Sequence, residues 1–405
     1  MNGPLRLAVP LLAALAIAAC SGGSSGVPSA GGQSVAPQAG VQLHPIADWQ
    51  IKNQARAICP QVVGQPTCLA LTTKGIRPAC TGSQCGWAPI DLETRYRLPI
   101  SKGSGQIVAI VDAGDNPNAA TDIATYRSEF GLGTANFTKY NQNGQQSNYP
   151  SYTGWSVEID LDIEMVSAAC PKCTIYLVEG NSSSSSDLST AEQTAQNLGA
   201  HIISNSWICY GGSSGCGLTG FDTQGVLYLA ASGDASYNNI GPPSTFPTVV
   251  AVGGSQLAKS GSTYSETVWN GAGSGCTTSQ TKPNWQGDPG CTWRTDADVS
   301  SEAGCSPPVS EYDSYDGGWF GVCGTSAASP TIAAVYALAG NASSQDAAKA
   351  LWKLKAWARR HELHEITSGN NGSCSPTYLC TAGTHEYKTY AGPTGWGTPN
   401  GIDAF

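Results

Sequence analysis

The segment Gly324-Thr325-Ser326-Ala327-Ala328-Ser329-Pro330 brings one serine out of a glycine-led turn into an apolar, small-residue run from Thr331 to Leu338. Such a run reads as a buried helix, with Ser326 in its first turn near the positive end of the helix dipole. Pro330 has no N–H to offer the carbonyl of Ser326, which loosens the turn around the serine. The pattern suits a nucleophile, and it suits a Thr/Ser helix cap packed on a sheet equally well. A serine nucleophile also needs a base within hydrogen-bond reach and a group that orients the base. The chain has five histidines, and none opens a helix after the strand-like run 107–112. His44 is in the N-terminal part, His201 inside an apolar strand-like run, and His361, His364 and His385 in an irregular C-terminal part. A carboxylate base must therefore be considered.

The stretch Gly154–Met165 supplies candidates. Glu158 and Asp162 are four residues apart and share one face of a helix. Two carboxyls so placed repel when both are ionised, so one holds its proton to higher pH and can then orient its partner by a hydrogen bond. The plainer reading is that acidic residues favour a helix start, and this one holds four of them. Asp234, in Ala231-Ser232-Gly233-Asp234, follows another strand-like run. Kept protonated in an apolar site it could donate to an oxyanion; as an ordinary loop aspartate it would make an Asx-turn.

These residues need a scaffold. Ile107-Val108-Ala109-Ile110-Val111-Asp112 reads as a buried strand ending in a carboxylate, followed by a Gly/Asn/Pro turn and a helix over 120–130. Further strand-like runs lie at 174–178, 201–205, 226–231 and 248–252, with helical stretches at about 156–168 and 187–198. Near-continuous apolar strands alternating with helices predict an α/β fold, a mostly parallel sheet covered by helices on both faces. Ligands and chemistry then belong just beyond the strand ends. The region 256–323 reads as loop-rich and disulfide-dotted, and the chain after Ala339 as irregular, with one basic helical patch at 346–361.

Composition narrows the class. Of 405 residues 12% are charged and 40% hydrophobic, with 49 glycines, 24 prolines and a net charge of −9. A loop-rich protein with a substantial core is implied, and the net negative charge argues against nucleic acid as a partner. Fifteen cysteines without a Cys–His zinc pattern suggest an oxidising compartment. The simplest pairing joins sequence neighbours: 59/68, 80/85, 170/173, 209/216, 276/291, 305/323 and 374/380. Cys20 is left over. Residues 1–19 read as a secretory signal, and Ile17-Ala18-Ala19-Cys20 resembles the lipobox of bacterial lipoproteins, which makes Cys20 the expected lipidation site. The expected address is across the inner membrane, at the cell surface, outer membrane or periplasm, with membrane contact only through that lipid. Residues 20–43 read as a flexible tether and 44–87 as a small disulfide-stapled segment whose role is not legible.

Taken together the motifs resemble the sedolisins, the serine-carboxyl peptidases related to subtilisin. The matching residues are Ile110-Val111-Asp112-Ala113, Tyr126-Arg127 with Phe130-Gly131-Leu132, and Glu158-Ile159-Asp160-Leu161-Asp162. They continue through Ser204-Asn205-Ser206-Trp207, Ser232-Gly233-Asp234, Val252-Gly253-Gly254, Gly324-Thr325-Ser326 and the closing Pro393–Gly401. The resemblance covers 88–405 and implies a subtilisin-like, doubly wound fold in a monomer. It also implies an endopeptidase acting on polypeptides at acid pH through an acyl-enzyme. Ser326 would be the nucleophile, Glu158 the base, Asp162 its orienting partner and Asp234 part of the oxyanion hole. No cofactor is required for that chemistry. The family's calcium loop would here begin at Glu365-Ile366, but Thr389-Tyr390-Ala391 stands where an aspartate is expected, so weak or absent calcium binding follows. Where the family has a long folded pro-domain, about seventy residues separate Cys20 from the expected catalytic part, and the basic segment Lys349–Arg360 has no counterpart and reads as a solvated helix. A catalytically silent surface lipoprotein that binds peptides is the alternative, and an ordinary subtilisin-type hydrolase is disfavoured by where the histidines fall.

Overall fold

Val108 and Ile110 of strand β1 (Ile107–Ala113) are buried in one apolar cluster, and Ala109, Val111 and Ala113 in another. A strand apolar on both faces has to be covered twice. In this computed structural model β1 lies between β3 (Thr174–Gly180) and β4 (Ile202–Asn205), parallel to both. The sheet extends on one side to β2 (Asn136–Asn141) and on the other to β5 (Leu227–Ala231), β6 (Val249–Ser260) and β7 (Thr263–Val268). β8 (Val299–Glu302) also pairs with β6, and only β7 runs antiparallel. The structure describes Met1 and residues 42–53, 55–73, 82, 85–211, 215–344, 346–383 and 390–405; everything below concerns the compact unit Gly32–Phe405.

Helices cover both faces. Helix α1 (Ala119–Glu129), α2 (Ser156–Ala169) and α4 (Thr325–Ala339) bury Ile123, Ile163 and Ile332 in the cluster that holds Val108 and Ile110. Helix α3 (Ser185–Asn197) packs Leu188, Ala191 and Ala195 against Ala109 and Val111 on the opposite face. α2 and α4 lie side by side, and the small residues of α4 allow that approach. Pro330 sits inside α4, and the Ser326 carbonyl that it cannot serve accepts instead from Ser206 Oγ at 3.3 Å.

The expectations for 256–323, the C-terminal part and His201 need correction. Besides β7 and β8, the region holds Gly275–Thr281, Trp293–Asp296, Val309–Asp313 and Gly318–Cys323 as strands. Their Ser, Thr and Gly content hides strand alternation, and pairing partners far along the chain supply the order. The basic patch is two helices, Ala347–Lys353 and Ala356–Glu362, because Leu354 turns extended (ψ 133°) between them. His201 is exposed and precedes β4, its ring Nδ1 2.9 Å from the Gly225 carbonyl. Six of the expected disulfides are present, 59/68, 170/173, 209/216, 276/291, 305/323 and 374/380. Cys85 is also disulfide-bonded, whereas Cys80, Cys20, the signal and most of the tether lie outside the described residues. Among the described residues no helix is long and apolar enough to cross a membrane.

One buried ion pair ties the C-terminal part to the sheet. Arg294, fully buried, reaches Asp298 at 3.0 Å and 2.5 Å, and Asp298 also accepts from Ala251 N (2.9 Å) and Trp352 Nε1 (2.7 Å). Removing the carboxylate leaves the buried guanidinium with only Asp296, 3.9 Å away, as a counter-charge among the described residues. Asp298→Ala should cost about 3–5 kcal/mol of stability by urea unfolding of an inactive background, and a loss below about 1 kcal/mol would contradict this role.

Candidate active site

The four predicted residues come together. α2 carries Glu158 and Asp162, the turn after β5 carries Asp234, and the first turn of α4 carries Ser326; all four are fully buried. Ser326 Oγ donates to the Ser206 carbonyl at 3.2 Å and hydrogen-bonds Glu158 closely enough to favour its ionised form. Glu158 Oε2 accepts from the N–H groups of Leu69 (2.8 Å) and Ala70 (2.6 Å), while Oε1 has no partner. Asp162 Oδ1 meets Ser206 Oγ at 2.6 Å, and Oδ2 is unpartnered. Ser206 has one hydroxyl hydrogen and two acceptors, Asp162 and the Ser326 carbonyl. A proton on Asp162 resolves this: the acid donates to Ser206, which donates to Ser326.

Asp234 is aimed by its neighbours. Its Oδ1 accepts from Thr325 N and Oγ1, both at 2.8 Å, which leaves Oδ2 unpartnered beside Gly324. Gly324 holds φ +127°, and a Cβ there would stand 2.5 Å from Asp234 Oδ2 and 2.5 Å from the Leu69 carbonyl oxygen. The glycine is required by conformation and by space.

Electrostatics favour protons throughout. Burial pushes the Glu158 carboxyl up to about 8, against the opposing pull of Ser326, Ala70 and Leu69. Burial, then the charges of Asp112 and Glu158, holds Asp162 well above the usual carboxylate range. Asp234 is raised by burial and further by Glu158, although Thr325 favours its ionised form. Asp112, at the end of β1, is fully buried with both oxygens unpartnered and is raised by burial and by Glu158. Behind α2 stands a second cluster, Asp122, Asp160 and Asp313, with ligand-type oxygens within 4.8 Å of one another, and Glu164 and Glu311 beside it.

Sequence reading missed Asp112 as part of this cluster, Ser206 and Thr325 as the hydroxyls that fix it, and above all the segment 66–73. Pro66–Cys68 pairs antiparallel with Trp207–Cys209, and Leu71–Thr73 with Val322 and Cys323, so Leu69-Ala70 spans the site between them. A modest run of apolar residues gave no signal for this. The described histidines are engaged elsewhere: His44 with Asn239 and Tyr210, His201 with Gly225, His364 with Arg95, and His361 against Trp357; His385 lies outside the described residues.

The expected calcium loop does not offer a fitting set of ligands among the described residues. Ile366 is buried with its carbonyl taken by Gly383 N at 2.9 Å, Ala391 brings no side-chain oxygen, and Glu365 is the one carboxylate of the expected loop that is described. No step of the chemistry is routed through a metal.

The model of the subtilase family matches residues 103–375, and the chain belongs to this family of serine peptidases. Among solved structures it is similar to a Pseudomonas sedolisin, a serine-carboxyl proteinase complexed with pseudo-iodotyrostatin. The two share 24% identity and a TM-score of 0.65 over 78% of this chain and 95% of that one. A sphericase aligns at 17% identity and a TM-score of 0.48, over 80% of this chain and 99% of that one. A search of curated proteins finds no match.

Two outcomes follow. Gly324→Ala should fold but displace Asp234, cutting peptidase activity about 10²–10³-fold, the usual loss for one oxyanion donor; unchanged turnover would remove Asp234 from that role. The carboxyls of Glu158 (about 8), Asp313 (about 7) and Asp296 (about 6) keep protons that an unfolded chain releases near pH 4. Their raised values stabilise fully below about pH 4, where the unfolded carboxyls also hold their protons, and progressively less up to about pH 8. The Tm of Ser326→Ala protein should fall across that window, and a rising Tm would contradict the assignment.

Proposed function

We propose that this protein is a serine-carboxyl peptidase of the sedolisin type, which hydrolyses polypeptides at acid pH as a monomer. The observation that carries the reading is the convergence of Ser326, Glu158, Asp162 and Asp234 in one buried site whose neighbouring groups are carboxyls and hydroxyls.

In this reading Ser326 Oγ attacks the peptide carbonyl and Glu158 takes its proton. A carboxylate remains a competent base at a pH where a histidine is already charged. Asp162 keeps its proton, hydrogen-bonded to Ser206, so that no second negative charge opposes ionisation of the base, and Asp234, also protonated, donates from Oδ2 to the oxyanion. Glu158 then returns its proton to the leaving amine, and water releases the acyl group by the reverse path. The elevated pKa of Glu158 belongs to the covered site. Replacing the segment over it with water relieves burial and lowers that value into the acid working range. The disulfides, the signal-like start and the lipobox-like Cys20 support export to an oxidising compartment with a lipid anchor.

The test is a pH-resolved digest of a denatured protein by acid-incubated enzyme. Activity should form a bell within the acid range, with limbs that belong to the coupled carboxyls and not to single residues. Ser326→Ala should abolish cleavage. Glu158→Gln, nearly isosteric but unable to accept a proton, should lower it about 10²–10⁴-fold, the range that loss of a general base costs. Full activity in folded Glu158→Gln protein would sink the assignment.

A further inference from the structure

We propose that the acidic cluster behind α2 is a binding site for one calcium ion, distinct from the loop at Glu365-Ile366. Five carboxyl groups meet there from three elements: Asp122 of α1, Asp160 and Glu164 of α2, and Glu311 and Asp313 of the strand Val309–Asp313. Their spacing makes them converge. Asp160 and Glu164 are four apart on one helix face, and Glu311 and Asp313 are two apart on one face of their strand. All five are buried, and among the described residues none of them forms an ion pair.

The way the oxygens are used points to an ion. Four of the groups have one oxygen held by an N–H. Asp122 Oδ2 accepts from Ser314 N (3.1 Å), Asp160 Oδ2 from Asn116 Nδ2 (2.5 Å) and Glu164 Oε2 from Tyr312 N (3.1 Å). Asp313 Oδ1 accepts from the N–H groups of Tyr315 (2.7 Å) and Asp316 (3.0 Å). Asp160 Oδ1, Glu164 Oε1 and Asp313 Oδ2 are left without a partner, and so are both oxygens of Glu311. Ligands oriented from behind, with free lone pairs kept for a metal, have this pattern. Glu311 is a separate sign of the same kind: fully buried, unpartnered, and close enough to Glu164, Asp313 and Asp160 to feel the charge of all three.

Dimensions and chemistry select the ion. Ligand oxygens of Asp122, Asp160 and Asp313 lie within 4.8 Å of one another. Two oxygens on opposite sides of one calcium stand about 4.6–5.2 Å apart, twice the calcium–oxygen distance. A set made only of carboxylates suits a hard cation, and a buried set suits calcium over magnesium, which keeps several of its waters. Ser314 and Tyr315, just beyond Asp313, are exposed, so the ion has only that turn to cross. Bound there, it would tie α1 and the strand 309–313 to the helix that carries Glu158 and Asp162.

Shared protons are the rival way of holding such a cluster together. Calcium must displace them, so binding is measured near neutral pH, and the fall in Tm toward pH 8 belongs to chelator-treated protein.

The experiment titrates chelator-treated, full-length Ser326→Ala protein with calcium chloride by calorimetry and reads the Tm with and without the ion. One calcium per chain should bind, and a hundredfold excess over its Kd should raise the Tm by at least about 3 °C. Folded Asp313→Asn and Glu311→Gln proteins, each keeping the side chain's shape without its charge, should bind at least tenfold more weakly, whereas Glu365→Gln should bind as the parent does. No calcium binding by the parent overturns the inference and leaves the cluster to protons. Binding that is lost in Glu365→Gln and retained in both cluster variants overturns it as well, and magnesium bound as tightly as calcium overturns the choice of ion. The peptidase reading stands or falls separately, on the digest.

Discussion

Burying several carboxyl groups around one serine, with no cation beside them in the described site, is the constraint on which the rest of the structure depends. Each ionised carboxyl in that setting carries a large desolvation cost, so the molecule supplies protons, hydroxyls and backbone N–H groups instead. Ser206, Thr325 and the amides of Leu69 and Ala70 perform this task, and each comes from a different part of the chain. The site exists only when α2, α4, the turn after β5 and the N-terminal segment are all in place.

On the proposed reading the same constraint accounts for a carboxylate base. A histidine among these acids would be held charged and would serve poorly as a proton acceptor. A carboxyl whose pKa is set by how much water reaches it can be silent when covered and active when open. In this structure the cover is peptide backbone, which satisfies Glu158 Oε2 while keeping the carboxyl buried. On the proposed reading, Glu158 becomes a working base once solvent or substrate takes the place of Leu69-Ala70.

Much of this was legible in the residues. The near-continuous apolar run of β1 announced a two-sided sheet, and the four-residue spacing of Glu158 and Asp162 announced a shared helix face. Gly324 before Ser326 announced a turn, although not that Asp234 and the Leu69 carbonyl both crowd it. The strands between 256 and 323 were not legible, because polar Ser/Thr strands owe their order to partners distant in sequence. The path of residues 66–73 was hidden for a related reason. Cys59, Cys68, Leu69 and Ala70 look like any small stapled loop until the strands at 207–209 and 322–323 take them in on either side. Likewise nothing local marks Ser206 as the hydroxyl shared by Asp162 and the carbonyl that Pro330 leaves open.

The central claim, that Ser326 is activated by a carboxylate, is tested most directly by the reactivity of the serine itself. Acid-incubated protein would be exposed to a fluorophosphonate at a series of pH values and the rate of adduct formation read by intact mass, with the adduct mapped to its residue. The account predicts modification at Ser326, fastest in the acid range and falling as the pH rises toward neutrality and the supporting carboxyls lose their protons. A rate that instead climbs steadily through neutral pH, with a midpoint near the histidine value of about 6.5, would contradict it.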